Sequence, residues 1–111
     1  MQIVWTEQAI SDLAEIEDYI AHDKPQAAAR VAAHLVSSVE HLAEFPHLGK
    51  PGRRPGTRNL IIAPYVISYR VRLNLLEILS VWRGRRGVYA FERSEIKTVP
   101  AKQVFTKNSK R

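Results

Sequence analysis

The chain has 111 residues, 45% of them hydrophobic, and contains no cysteine. Its length suffices for one domain but not for two, and its apolar content excludes a wholly disordered chain. The absence of cysteine excludes disulfides, a thiolate nucleophile and a cysteine-ligated zinc site. The N-terminal residues lack the pattern of a signal peptide, and no apolar run approaches the roughly 20 residues of a membrane helix. We therefore expect a soluble, cytoplasmic protein.

A short strand at residues 3–5 begins the predicted structure, and a helix follows it directly. Thr6 is in position to cap the helix, because its hydroxyl can accept a hydrogen bond from a free backbone N–H of the first turn. From Ala9 to Ile20, apolar residues then recur at spacings of three and four, which places them on one face of a helix. The opposite face is acidic.

A second amphipathic helix is predicted after a short turn. Asp23 is in position to cap it, and Pro25 suits its first turn, where no backbone N–H is needed. Its apolar stripe runs from Ala28 to Leu42 with the same spacing, and the helix should end near Phe45. The two helices together form a helical hairpin.

Three strands are predicted to follow, because β-branched and aromatic residues are enriched in three short runs. The runs cover residues 58–63, 65–72 and 75–82. The two-residue connection at 73–74 favours a hairpin between the second and third strands. The sequence thus predicts a two-layer α+β fold, with an N-terminal strand, a helical hairpin and a three-stranded antiparallel sheet. We assign residues 1–90 to this domain and residues 91–111 to a basic, partly flexible C-terminal extension.

The charge is divided unevenly along the chain. Residues 1–49 carry a net charge of −6 and residues 50–111 a net charge of +12, which together give the overall +6. Such asymmetry predicts an anionic partner for the basic half, either a nucleic acid or an acidic protein. A solvated basic surface with a basic tail is the alternative.

Two groups of cations flank the predicted sheet. The first lies in the turn-rich loop GKPGRRPGTRNLII and consists of Lys50, Arg53, Arg54 and Arg58; the second follows the last strand and consists of Arg83, Arg85 and Arg86. If the two loops meet at one edge of the sheet, their six arginines line a single cleft. Arginine suits such a site because its planar fork binds two oxygens of a phosphate or carboxylate. Solvated loop arginines are the alternative.

Other candidate groups give weaker signals. His34 and His41 are seven residues apart on one side of the second helix, but the spacing of the other residues indicates no third metal ligand. We therefore predict neither a metal nor a cofactor. The aromatic residues of the strands have the chemistry to stack on bases, although their alternating pattern favours packing in the core. These residues are Trp5, Tyr65, Tyr69 and Trp82.

Fragments spread over residues 3–87 share their order and spacing with a known protein family. They include A..DL..I..YI at 9–20, GR..GTR.L at 52–60, Y.ISYRV at 65–71 and EILSVWRGRR at 77–86. In these fragments the chain resembles the ParE/RelE superfamily of toxins from bacterial type II toxin–antitoxin systems, and within it the ParE-like and plasmid-stabilisation branch.

The resemblance implies a toxin that arrests growth in one of two ways. RelE-like members cut mRNA in the ribosomal A site without a metal, whereas ParE-like members poison DNA gyrase and have no known nuclease residues. Either kind is neutralised by a cognate antitoxin, so a toxin–antitoxin hetero-oligomer is expected, with no role for a membrane. A non-toxic basic binding module on the same fold is the third hypothesis.

The resemblance also assigns candidate site residues. Arg83 or Arg85, and then Tyr89, occupy approximately the positions of an arginine and a tyrosine in the RelE-like nucleases. With Arg58 they would supply the proton transfer and the phosphate-stabilising charge that RNA cleavage requires. The predicted RNA- or anion-binding residues are Lys50, Arg53, Arg54 and Arg86. A middle-strand arginine of these nucleases is missing near Val66, which favours gyrase as the target, whereas the arginine cluster with Tyr89 favours RNA.

Overall fold

The computed structural model describes residues 1–84 and the backbone of residues 104–106. Its elements are β1 (Gln2–Thr6), α1 (Glu7–Ala21), α2 (Pro25–Glu44), β2 (Lys50–Pro51), β3 (Thr57–Ile62), β4 (Tyr65–Arg72), β5 (Leu75–Arg83) and β6 (Val104–Thr106). One sheet has the strand order β2-β3-β4-β5-β1-β6, and both helices pack on the same face of it. The predicted two-layer α+β fold is confirmed. The predicted domain boundary at residue 90 lies outside the described residues, and of the predicted extension only Val104–Thr106 is described, as the strand β6.

The sheet combines an antiparallel meander with a parallel strand. β3, β4 and β5 pair antiparallel in succession, and β1 lies parallel to β5 with Trp5 opposite Ile78. Short strands β2 and β6 pair antiparallel with β3 and β1. The hairpin turn between β4 and β5 is closed by Leu73 and Asn74, whose φ angles are +52° and +64°. A two-residue turn with positive φ at both positions matches the twist of the flanking strands.

Thr6 joins the sheet to the helical layer. Its hydroxyl accepts a hydrogen bond from the N–H of Ala9 at 3.2 Å and donates one to the carbonyl of Ile78 at 2.8 Å. Because Thr6 is fully buried, both contacts are shielded from water. The predicted N-cap is therefore confirmed, and the same side chain also fixes the start of α1 to β5.

The turn between the helices differs from the prediction at one position. Lys24, rather than Asp23, is the N-cap of α2, and it makes no side-chain capping hydrogen bond. Pro25 occupies the first helical turn, as predicted. The Asp23 cap was wrong because Asp23 stands one residue before the N-cap position, and its N–H donates to the carbonyl of Ile20 at 3.1 Å, which closes the end of α1.

The core lies between the helices and the sheet. Its helical members are Ala9, Leu35, Val39 and Leu42, and its strand members are Ile3, Trp5, Tyr65, Ile67, Tyr69, Leu76, Ile78 and Val81. The apolar stripes predicted for both helices face this core. Three of the four strand aromatics belong to it, which confirms packing as the role of these rings. Neither helix in the described part of the chain combines the length and apolarity needed to span a membrane.

Candidate functional site

The strand directions separate the two groups of arginines. β3 and β5 both run antiparallel to β4 and are therefore parallel to each other. Arg58, near the start of β3, lies opposite Tyr69, whereas Arg83, at the end of β5, lies opposite Tyr65. These two β4 positions are about 13 Å apart along the strand at about 3.3 Å per residue. Arg58 and Arg83 therefore do not share the single cleft predicted from the sequence, because the first strand of a meander begins at the end opposite to that where its third strand finishes; Arg85 and Arg86 lie outside the described residues.

Cations instead gather at the end of the sheet where β3 begins. The register places Arg70 opposite Thr57, next to the turn that carries Arg53 and Arg54, and Arg72 ends the same strand. We call this cluster the basic end; it consists of Lys50, Arg53, Arg54, Arg58, Arg70 and Arg72. The only acid between residues 50 and 84 is Glu77, so the cluster has a large excess of positive charge. Sequence reasoning left Arg70 and Arg72 out of the site, although the alternation of side chains along β4 is a signal that puts both on the face opposite to that of Tyr69.

Glu77 organises two of these cations. Its carboxylate accepts a hydrogen bond from Nε of Arg70 and lies 3.4 Å from Nη2 of Arg72. The Glu77 side chain is 5% exposed, whereas that of Arg72 is 53% exposed. Arg70 is therefore engaged in a largely buried ion pair, while Arg72 keeps a part of its guanidinium surface available to an anion.

A closed turn presents Arg53 and Arg54 to solvent. The N–H of Gly52 donates to the carbonyl of Thr57 at 2.7 Å, and the hydroxyl of Thr57 donates to the carbonyl of Arg54 at 2.7 Å. Gly56, with φ of +83°, supplies the left-handed backbone conformation that glycine adopts without strain. These contacts restrain the backbone of the turn, so the two exposed arginines are held on a defined loop rather than on a flexible tether.

Tyr69 fixes the segment that leads into this turn. Its hydroxyl donates to the carbonyl of Pro46 at 2.7 Å and accepts from the N–H of Gly49 at 2.9 Å. Nη1 of Arg58 donates to the carbonyl of Gly49 at 2.7 Å. A Cβ at Gly49 would lie 2.6 Å from the Tyr69 hydroxyl and 2.9 Å from the carbonyl oxygen of Asn59, so only glycine fits. We call these three hydrogen bonds the Tyr69 clamp.

The clamp changes the chemistry of the phenol. Burial raises the pKa of Tyr69 above its ordinary value, and the N–H of Gly49 and the nearby guanidinium of Arg58 offset part of that rise. The phenol therefore keeps its proton at neutral pH. Sequence reasoning treated Tyr69 only as a packed or stacking ring, because no local pattern indicates which distant backbone groups its hydroxyl meets.

Comparison with known proteins identifies the family. Residues 3–88 match the family described as the ParE toxin of the type II toxin–antitoxin system parDE. The chain belongs to the ParE toxin family. The membership predicted from the sequence fragments is thus confirmed, and the matched segment contains the whole basic end.

Individual relatives agree with this assignment. The chain is 48% identical over 87 residues to Y4kP, a candidate toxin of Sinorhizobium fredii, with 77% of this chain and 90% of that protein covered. It is 36% identical over 85 residues to toxin RelE2 of Caulobacter vibrioides, with 77% and 97% covered. Both relatives are thus described as toxins or candidate toxins.

Two solved toxin–antitoxin structures share the fold. The chromosomal ParDE system from P. aeruginosa matches with a TM-score of 0.68 and 28% identity, over 75% of this chain and 95% of that one. The RelBE2 complex from Mycobacterium tuberculosis matches with a TM-score of 0.58 and 26% identity, over 74% and 95%.

The candidate residues at and after the end of β5 are only partly described. Arg83 is exposed and borders a cavity of about 370 Å³ that is also lined by Asp12, Glu15 and Tyr65. Arg85, Arg86 and Tyr89 lie outside the described residues, so their predicted roles stay predictions. Within the described part of the chain, no three histidine or carboxylate side chains are grouped as metal ligands.

Proposed function

We propose that this ParE-family chain arrests bacterial growth by binding DNA gyrase, and that a cognate antitoxin holds it inactive until that antitoxin is lost. Family membership supports a toxin, and the two solved structures described above are toxin–antitoxin systems. The basic end supports an acidic or amphipathic antitoxin segment, since opposite charge accelerates association.

The contacts that Arg58 and Arg70 make within the protein favour binding of gyrase over cleavage of RNA. Arg58 donates to a backbone carbonyl, and Arg70 is paired with the carboxylate of Glu77. Cleavage through a 2′-hydroxyl needs cations aimed at the phosphate and a group that accepts a proton beside them. The buried phenol of Tyr69 is committed to the clamp and cannot serve as that acceptor.

Ribosome-dependent cleavage of mRNA is the second candidate function. Lys50, Arg53 and Arg54 are exposed on the closed turn, where they suit contacts to a phosphodiester backbone. Under this hypothesis the chemistry belongs to Arg83 at the end of β5 and to Arg85 and Tyr89, which follow it in the sequence, and the exposed His47 is a further candidate for proton transfer.

The test separates the two targets in one culture. The full chain is induced without its antitoxin, and growth, incorporation of labelled amino acids and plasmid supercoiling are followed together. We expect supercoiling to fall before protein synthesis, and we expect purified toxin to inhibit supercoiling by purified gyrase. An early fall in the incorporation of labelled amino acids, with unchanged plasmid supercoiling, would support mRNA cleavage instead. Normal growth in the presence of folded protein would contradict a toxin of either kind.

Two sets of variants refine the result. Tyr89→Phe should leave a gyrase inhibitor fully active, whereas a nuclease that uses the phenol would lose cleavage. Replacing both Arg53 and Arg54 by alanine should weaken growth arrest and reduce the salt dependence of target binding, because exposed charges act through screened electrostatics. The melting temperature should stay unchanged in the double variant.

A further inference from the structure

The tip of the β4–β5 hairpin combines two features that local physical chemistry disfavours. Leu73 is the most exposed of the described large hydrophobic side chains, at 89%. It also has a φ of +52°, in the left-handed region that asparagine and glycine enter far more easily than leucine. Its side chain has no packing that would compensate for this conformation, so the stability of the free chain does not explain a leucine here.

The surroundings of Leu73 indicate what kind of surface it meets. Val71, two residues earlier in the strand, is also exposed, at 39%. Arg72 stands between these two apolar residues in the sequence and has 53% of its side chain exposed, and the rest of the basic end lies at the same end of the sheet as the tip. The hairpin tip is therefore an apolar projection close to positive charge. Its complement is an apolar socket bordered by carboxylates.

We propose that the hairpin tip, Val71–Leu73, is the anchor by which the antitoxin holds this toxin, with Leu73 inserted into an apolar socket that acidic side chains surround. The inference rests on the proposed function, because it takes an antitoxin as the occupant. A partner that covers this leucine removes its apolar surface from water, and that burial favours the complex. The stored form of the toxin is its antitoxin complex.

Other occupants fit the tip less well. A second copy of the chain would bring two sets of Arg70 and Arg72 together, and like charges oppose that contact. RNA is read through stacking on rings or guanidinium planes and through hydrogen bonds, none of which an aliphatic side chain offers. A protein groove with an acidic border satisfies both the apolar and the charged part of the tip.

The decisive variant is Leu73→Asn, since asparagine tolerates positive φ but removes the apolar projection. Full-length toxin is copurified with the product of the gene adjoining its own, separated in denaturant and refolded, and its affinity for that product is measured by biolayer interferometry. We expect an unchanged or higher melting temperature together with a loss of about tenfold or more in affinity, the effect of truncating a buried anchor. Leu73→Met, which keeps the apolar reach, should retain most of the affinity.

Ile61→Thr provides a matched control, because Ile61 is a 54% exposed apolar residue elsewhere on the sheet. Its affinity should equal that of the wild type, and an equal loss in Ile61→Thr and Leu73→Asn would overturn the assignment to the tip. Unchanged affinity of Leu73→Asn would overturn it too, including the case in which growth arrest alone is lost. If the wild-type chain itself fails to bind the adjoining gene product, the proposed antitoxin and the docking inference both fail.

Discussion

Removal of the Tyr69 hydroxyl is the sharpest test of how the basic loop is held. Tyr69→Phe keeps the ring in the core but deletes one hydrogen bond to the carbonyl of Pro46 and one from the N–H of Gly49. Each such bond contributes about 1 kcal/mol net, and a buried donor left without a partner adds to the cost. We therefore expect the free energy of unfolding to fall by about 2 to 3 kcal/mol, which corresponds to a decrease of about 10 °C in melting temperature for a domain of this size.

The measurement is urea unfolding of the full chain at neutral pH, with Tyr65→Phe as the matched control. Tyr65 is also a core ring of β4, but the described part of the chain gives its hydroxyl no hydrogen-bond partner. Loss of the Tyr65 hydroxyl should change the free energy of unfolding by less than about 0.5 kcal/mol. If the two variants prove equally stable, the Tyr69 clamp does not hold the loop and the reasoning is refuted.

Tyr69→Phe should also change how the free energy of unfolding depends on pH. Burial raises the pKa of Tyr69 in the folded chain above the ordinary 10.0 that the unfolded chain retains. Between those two values the unfolded chain binds fewer protons than the folded one, so stability falls as the pH rises. The stability that the protonated phenol of Tyr69 contributes is complete below pH 10, and it is lost as the pH rises through the pKa of Tyr69 in the folded chain. Alkaline destabilisation should therefore be shallower in Tyr69→Phe than in the wild type, as measured by unfolding free energies between pH 8 and 11.

Three further substitutions test the surroundings of the clamp by urea unfolding. Gly49→Ala should lower stability by about 2 kcal/mol or more, because its methyl group would collide with the Tyr69 hydroxyl; wild-type stability would show that the loop can shift. Arg58→Ala should cost about 1 kcal/mol through loss of its bond to the Gly49 carbonyl, whereas the exposed Arg53→Ala should cost nothing measurable. Glu77→Gln should cost about 1 kcal/mol, a modest value because the guanidinium groups it faces are partly solvated, and added salt should reduce the difference.

Local sequence patterns determined the elements of this fold. The apolar spacing fixed both helices, Thr6 was found as a cap, and the two residues at 73–74 were found as a hairpin turn. Each of these features depends on groups within about four positions of one another, so a single sequence contains the whole interaction. The order of the family fragments likewise indicated a toxin domain, and the comparisons confirm it.

The cap of α2 marks the limit of such local inference. Asp23 has the right chemistry and stands near the right position, but its backbone N–H is already used to close α1. The end of α1 and the start of α2 both use the residues of the turn between them, and only the geometry of that turn determines which residue takes the N-cap position. Asp23 was therefore a reasonable N-cap by residue type, but the N-cap of α2 in the structure is Lys24.

Only the tertiary structure decided where the candidate site lies. Strand order and direction put Arg83 at one end of the sheet and Arg58 at the other, and they brought Arg70 and Arg72 into the basic end. The Tyr69 clamp joins groups 20 and 23 residues apart, and Thr6 meets a carbonyl 72 residues away. The ordering of such distant groups costs chain entropy that only the assembled sheet and core repay. Their partners are therefore set by the packed fold and not by any local pattern in the sequence.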